Sequence, residues 1–305
     1  MTYRLFYLLL CPIFLLAACK EGPVLPDPVD PVDEVDPVSP NTPAEAYTVS
    51  TLRYPLSQTA ISGHRGAKKM ANYPENCLET FAFLRDSINL LIECDVARTA
   101  DGVLVLMHDN SIDRTTTGSG TLKNMNYSQL ENLYLKDYQG NVTNYRIPTF
   151  AAICDWAKQS GTVLTVDLKG QAVEADVIAM LNQKGMEENA IVITYSLDQA
   201  ERIFDLDPDY AQSVSIRNDD EWNQYNSKGI PPVDKVFAFT GTRQSPASLY
   251  ETLHAEDITC IFGSLGNIDQ QALSQGAQVY KNLEEKGVDI LATDIPLTAA
   301  SMLAE

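Results

Sequence analysis

The chain has 305 residues, 45% of them apolar, and a net charge of −19. That length and apolar content suffice to bury the core of one large domain, and single α/β barrels commonly reach this size. So large an acidic excess repels polyanions, which excludes nucleic-acid binding as the main function, because that affinity rests on clustered Lys and Arg neutralising phosphates.

Residues 1–18 read as a signal peptide: Arg4, then an apolar run from Leu5 to Leu16, then Leu16-Ala17-Ala18-Cys19. The run is short for a hydrocarbon core of about 30 Å, and Pro12 interrupts it. The pattern resembles a bacterial lipoprotein leader, in which Cys19 becomes the first residue of the mature chain and its acyl chains anchor the protein to an exported membrane face, periplasmic or cell-surface. Residues 19–50 then form an acidic tether, with Pro23, Pro26, Pro28, Pro31, Pro37, Pro40 and Pro43 and no helical or strand periodicity. At ~3.1 Å per residue, it could hold a domain up to roughly 90 Å from the bilayer.

A catalytic domain is expected over residues 56–303. Short β-rich runs near 60–64, 90–96, 162–168, 190–195, 212–216, 234–239, 257–263 and 289–293 alternate with helical stretches such as Glu75 to Asp86, Val173 to Lys184, Leu197 to Phe204 and Ala272 to Lys286. Such alternation predicts a parallel sheet, and eight units predict closure into a (β/α)8 TIM barrel, with an open doubly wound sheet as the alternative. Val103 to His108 breaks the rhythm, because only five residues separate it from the preceding strand, too few to join parallel strands. The Asp101-Gly102 pair predicts a β-hairpin arm folded about residues 100 and 101, which would bring His108 opposite Glu93 or an adjacent residue. Cys77, Cys94, Cys154 and Cys260 show neither CxxC nor zinc-site spacing, and are expected as free buried thiols.

In Leu91-Ile92-Glu93-Cys94-Asp95-Val96 the two-residue period sends Glu93 and Asp95 to one face of an otherwise apolar strand. Two like charges there are costly unless a cation lies between them, and a hard divalent ion, Mg²⁺ or Ca²⁺, suits oxygen ligands. On the next barrel strand Asp167 and Lys169 also share a face. Asp167 is then a candidate third ligand, and Lys169 a cation for a phosphate oxygen. At the first strand's end, Ser62-Gly63-His64-Arg65-Gly66 places His64 and Arg65 where barrel active sites form, with glycines that let the backbone approach a ligand. His64 and His108 both fall at such ends and suit an acid/base pair, whereas His254 reads as a surface residue.

His64-Arg65-Gly66, Pro74-Glu75-Asn76, Glu93-x-Asp95-Val96, Thr99-x-Asp101-Gly102, His108-Asp109, Arg114-Thr115-Thr116-x-Gly118 and Thr293-Asp294-x-Pro296 together resemble the glycerophosphodiester phosphodiesterase family across residues 58–298. The resemblance implies hydrolysis of a glycerophosphodiester to glycerol 3-phosphate and an alcohol. It makes His64 and His108 the acid/base pair, gives Glu93, Asp95 and Asp167 one divalent cation, and puts Arg65 and Lys169 on the phosphate, with Glu75 and Asn76 as further site residues. Four features depart from the family pattern: Asp167 stands where glutamate is usual, Cys77 where threonine is, Tyr195-Ser196 where Ser-Phe is, and Phe262-Gly263-Ser264-Leu265-Gly266 where a tryptophan-threonine signature is. Two alternatives remain: a related barrel phospholipase or lysophospholipase releasing a cyclic phosphate, and a lipoprotein that binds glycerophosphodiesters without cleaving them.

Overall fold

The computed structural model describes residues 46–305 apart from Gln171, so the expected leader, Cys19 and most of the expected tether lie outside the described residues. The described strands are β1 (Ala60–Gly63), β2 (Leu91–Arg98), β3 (Leu104–Leu106), β4 (Tyr134–Lys136), β5 (Val142–Arg146), β6 (Leu164–Leu168), β7 (Ala190–Thr194), β8 (Ala211–Ser215), β9 (Val236–Phe239), β10 (Thr259–Gly263) and β11 (Ile290–Thr293). Pairing runs β1-β11-β10-β9-β8-β7-β6-β2, and a further β1–β2 pairing closes the ring. Eight parallel strands thus form the barrel predicted from the alternation, and closure rules out the open sheet.

Side chains along the barrel strands, nearly all of them buried, alternate between inward and outward faces, as the pleat requires. At the N-terminal end of the barrel Ala60, Leu91, Val163, Ile191, Ala211, Phe237, Ile261 and Ile290 form a small apolar cluster, joined by Val49 and Leu52. The outward-facing positions, such as Ile92, Cys94, Val96, Leu164, Val166 and Val192, belong to a larger cluster shared with the surrounding helices. Val49 and Leu52 thus plug the barrel floor. Hydrogen bonds hold this plug, among them Val49 N–H to the Glu188 carbonyl at 2.9 Å, Thr259 Oγ1 to the Leu52 carbonyl at 2.8 Å, and Arg53 Nη1 to the Val236 carbonyl at 2.8 Å.

The arm is present as predicted, but its register differs by one residue. Val96 pairs with Leu106, Ala97 with Val105 and Arg98 with Leu104, so the turn centres on Asp101, with Gly102 at φ 88°. Met107 N–H extends the ladder to the Asp95 carbonyl, which returns His108 to the level of Glu93 and Asp95, as expected. Beyond the arm, β4 and β5 form a second antiparallel pair with no counterpart among the predicted strands. Val105, Met107, Ile112, Leu122, Leu130, Leu135 and Ile147 pack with Cys77 and Ala97 into a separate small core beside the barrel mouth.

Two helix expectations change. The stretch from Ala272 to Lys286 is two helices, Asn267–Gln275 and Gln278–Lys286, broken at Gly276 with φ 90°. The helix expected from Glu75 begins only at Leu78, because Asn76 adopts the left-handed conformation (φ 54°) and turns the chain. Cys77, Cys94, Cys154 and Cys260 are free and buried, as expected. Among the described residues, no helix is long and apolar enough to cross a membrane.

Candidate active site

The C-terminal ends of β1, β2 and β6 bring most of the predicted site residues together. Glu93, Asp95 and Asp167 are all buried, and one carboxylate oxygen from each lies within 4.8 Å of the others. The strand register explains this: Asp95 pairs directly with Asp167, and Glu93 lies two residues back on the same face. Burial, then the charges of Asp95 and Asp167, push the Glu93 carboxyl well above its ordinary range. Burial also raises Asp167, against opposing contributions from Lys169 and Tyr195.

Two oxygens in this group, Asp95 Oδ1 and Asp167 Oδ1, are buried and accept no hydrogen bond. Leaving such atoms unpaired costs about 1–3 kcal/mol each, more for charged groups. Clustered carboxylates with unfilled oxygens are the donor set a hard divalent cation takes, so the residues fit such an ion. Lys169 answers part of the charge, its Nζ lying 2.6 Å from Asp167 Oδ2 and 3.5 Å from Asp95 Oδ1.

The first loop is built by close packing. A Cβ on Gly63 would lie 2.1 Å from the Gly66 carbonyl oxygen, and one on Gly66 would lie 2.7 Å from the Phe81 ring. These glycines therefore permit the loop's own turn and its seat on the helix Leu78–Ser87. Between them Arg65 sits at φ 56°, a conformation that costs a non-glycine residue on the order of 1 kcal/mol. Its backbone is held on both sides, by Arg65 N–H to Glu93 Oε2 at 2.7 Å and by Asn76 N–H to the Arg65 carbonyl at 3.0 Å.

Arg65 is buried, and its Nη1 donates to Glu75 Oε1 at 2.9 Å while its Nε lies 3.3 Å from Asp95 Oδ2. It is thus an internal strut as well as a cation at the site. Asn76 fastens Asp95 twice, donating from Nδ2 to Oδ2 at 2.7 Å and accepting from the Asp95 N–H at 3.0 Å. Glu75 receives Arg114 through Nη1 at 2.8 Å and Nη2 at 2.7 Å in addition to Arg65. Burial would raise its carboxyl, but the two guanidinium groups hold it below the ordinary range.

Each of the paired histidines is backed by a carboxylate. His64 Nδ1 lies 2.7 Å from Asp294 Oδ1, and His108 Nδ1 lies 2.7 Å from Asp109 Oδ1. Burial pushes Asp294 up, but the hydrogen bond and charge of His64 outweigh it and leave the carboxyl below its usual range. Hydrogen bonding from Arg114, then from His108, pulls Asp109 down to about 2. An ionised carboxylate only accepts, so Nδ1 of each ring carries the proton, and in the neutral form Nε2 keeps a lone pair for chemistry.

Asp294, Asp109 and Arg114 occur in the sequence motifs, but nothing in those motifs reveals their roles. Asp269 gives no local signal at all. It is buried in the helix Asn267–Gln275, accepts from Ser264, Tyr280 and Thr293 hydroxyls, and receives the Asp294 N–H at 2.9 Å on Oδ2. His254, expected at the surface, is instead largely buried, stacked on Tyr54 at 3.9 Å between centroids, with Nε2 2.9 Å from Asp289 Oδ2.

Residues 64–232 match the family model described as the glycerophosphoryl diester phosphodiesterase family. YhdW of Bacillus subtilis, named as a candidate glycerophosphodiester phosphodiesterase, is 32% identical over 248 residues, which cover 77% of this chain and 94% of that protein. The crystal structure of a glycerophosphoryl diester phosphodiesterase from Parabacteroides distasonis superposes with a TM-score of 0.78 at 28% identity, covering 84% of this chain and 90% of that one. A glycerophosphodiester phosphodiesterase from Agrobacterium tumefaciens shares the fold at 21% identity and a TM-score of 0.64, covering 80% of this chain and 100% of its own. The chain therefore belongs to the glycerophosphoryl diester phosphodiesterase family and is a phosphoric diester hydrolase on a closed eight-stranded barrel.

Proposed function

We propose that the protein hydrolyses a glycerophosphodiester to glycerol 3-phosphate and an alcohol, with one divalent cation, Mg²⁺ or Ca²⁺, held by Glu93, Asp95 and Asp167. The observation that carries this reading is the buried carboxylate trio with its two unfilled oxygens, at a barrel mouth that also holds two histidines. When bound there, the cation supplies Lewis-acid stabilisation of charge on the phosphoryl oxygens.

The chain's own groups supply the rest. With Nδ1 committed to a carboxylate, Nε2 of one histidine takes the proton of the nucleophile and Nε2 of the other, protonated, delivers one to the leaving alkoxide. Lys169, half-buried beside Asp167, and Arg65, fixed by Glu75, put positive charge against the non-bridging oxygens. Asn76 keeps Asp95 from turning away from the trio.

We read Cys19 as the site of a lipid anchor that holds the exported enzyme to a membrane, on the strength of the Leu-Ala-Ala-Cys sequence. Replacing Cys19 by serine should move the protein out of the membrane fraction.

The test of the reaction is release of glycerol 3-phosphate from several glycerophosphodiesters by purified protein, with Mg²⁺ or Ca²⁺ and with EDTA. Release that requires the cation supports the reading. A cyclic phosphate product, or binding without turnover, would overturn it.

A further inference from the structure

Tyr195 follows β7, and its side chain is largely exposed at the barrel mouth, 60% by area. An exposed tyrosine ring ordinarily leaves its hydroxyl in water. Here the hydroxyl turns inward and donates to Asp167 Oδ2. The same oxygen takes Lys169 Nζ at 2.6 Å, and Lys169 Nζ also lies 3.4 Å from the Tyr195 hydroxyl. Tyr195, Lys169 and Asp167 thus close a three-membered hydrogen-bonded ring on one side of the carboxylate. The other oxygen, Asp167 Oδ1, is buried and accepts nothing.

That division of labour has a physical consequence. The terminal torsion of an aspartate is broad and nearly two-fold, so an untethered carboxylate swings and exchanges its oxygens. Lys169 alone does not prevent this, because a long flexible ammonium follows the carboxylate as it turns. The tyrosine hydroxyl does prevent it: the ring is rigid, its anchor directly follows β7, the strand paired with β6, and its O–H reaches one oxygen only. Partners of this outer kind fix the direction of a metal ligand, and their loss typically costs 10–100-fold in metal affinity.

We propose that Tyr195 is a positioning residue for the cation site: by taking Asp167 Oδ2 it reserves Oδ1 as the third ligand oxygen. The inference rests on the cation reading of Glu93, Asp95 and Asp167 given above.

The test is titration calorimetry of the purified full chain in detergent with Mg²⁺ and with Ca²⁺, alongside thermal melting of the cation-free protein. Tyr195→Phe keeps the ring and removes only the hydroxyl. Its Kd for the cation should rise about tenfold while the cation-free Tm stays put. Adding Asp167→Glu should restore the affinity, since the longer side chain lets either carboxylate oxygen reach the ion without a strap. An unchanged Kd in Tyr195→Phe would overturn the proposal, as would a lowered cation-free Tm with unchanged Kd, which would make the contact merely structural. A double variant as weak as Tyr195→Phe alone would show that Tyr195 does not act through Asp167. Failure of the wild-type chain to bind either ion would remove the cation reading itself, and this inference with it.

Discussion

His64 Nδ1 and Asp294 Oδ1 lie 2.7 Å apart, and Asp294 is in turn fixed through its backbone N–H by the buried Asp269. The contact sets which ring nitrogen of His64 holds its proton. Asp294→Asn removes the ionised acceptor and admits the other tautomer, so kcat should fall by about 10²–10⁴ with KM little changed. Steady-state kinetics at saturating cation would check this. A normal kcat would mean that Nε2 of His64 does no proton transfer.

The two histidines serve one transition state, so their losses should not add. His64→Ala and His108→Ala should each lower kcat by about a hundredfold or more, with the double variant scarcely worse than the poorer single one. A diester with an acidic phenol as leaving group needs no proton delivered to it. Such a substrate should rescue only the variant that lacks the acid.

The pH dependence of cation binding follows from Glu93. Its folded carboxyl is held above its unfolded range by burial and by Asp95 and Asp167, so the cation-free folded state binds more protons than the unfolded chain. The contribution of Glu93 to the stability of the cation-free protein must then fall as pH rises above the ordinary carboxylate range of about 4. A bound cation favours the ionised form and cancels that loss. The Tm gained on adding Mg²⁺ or Ca²⁺ should therefore be larger at pH 8 than at pH 5, as thermal melts at both values would record. Glu93→Gln should raise the cation-free Tm at pH 8 while abolishing the gain.

Leu52 is fully buried in the barrel floor beside Phe237 and Ile290, and its carbonyl is held by Thr259. Leu52→Ala should cost about 2–5 kcal/mol of unfolding free energy, read from denaturant melts. With the mouth untouched, kcat should stay near normal at temperatures where the variant is folded.

The barrel was legible because short β-rich runs alternate with helical stretches, and the carboxylate pair because Glu93 and Asp95 interrupt an otherwise apolar strand with a period of two. The arm's existence was legible from Asp101-Gly102, but its register was not. The turn centres on Asp101, where Thr99 Oγ1 donates to Asp101 Oδ1 at 2.6 Å and the Tyr127 N–H to the same oxygen at 3.0 Å, contacts that no hairpin rule contains. His254 was misplaced because its partners, Tyr54 and Asp289, come from distant segments. Asp269 was missed for the same reason: a lone acid in a polar helix carries no mark that three hydroxyls converge on it.

The bridge made by Glu75, gripped by Arg65 from the barrel and by Arg114 from the segment beyond the arm, bears on how this part of the molecule could be exchanged. The arm segment keeps a small core of its own, shared with Cys77 and Ala97, while Leu104 and Leu106 pack into the main core, so a cassette swapped for that of a relative to change the wall of the mouth would have to match both. A graft that lacked an arginine at 114 would leave Glu75 with a single guanidinium and Asp109 with His108 alone, removing the group that holds Asp109 in place against His108. Arg114 therefore has to travel with any such cassette, although it lies outside the arm's apolar core.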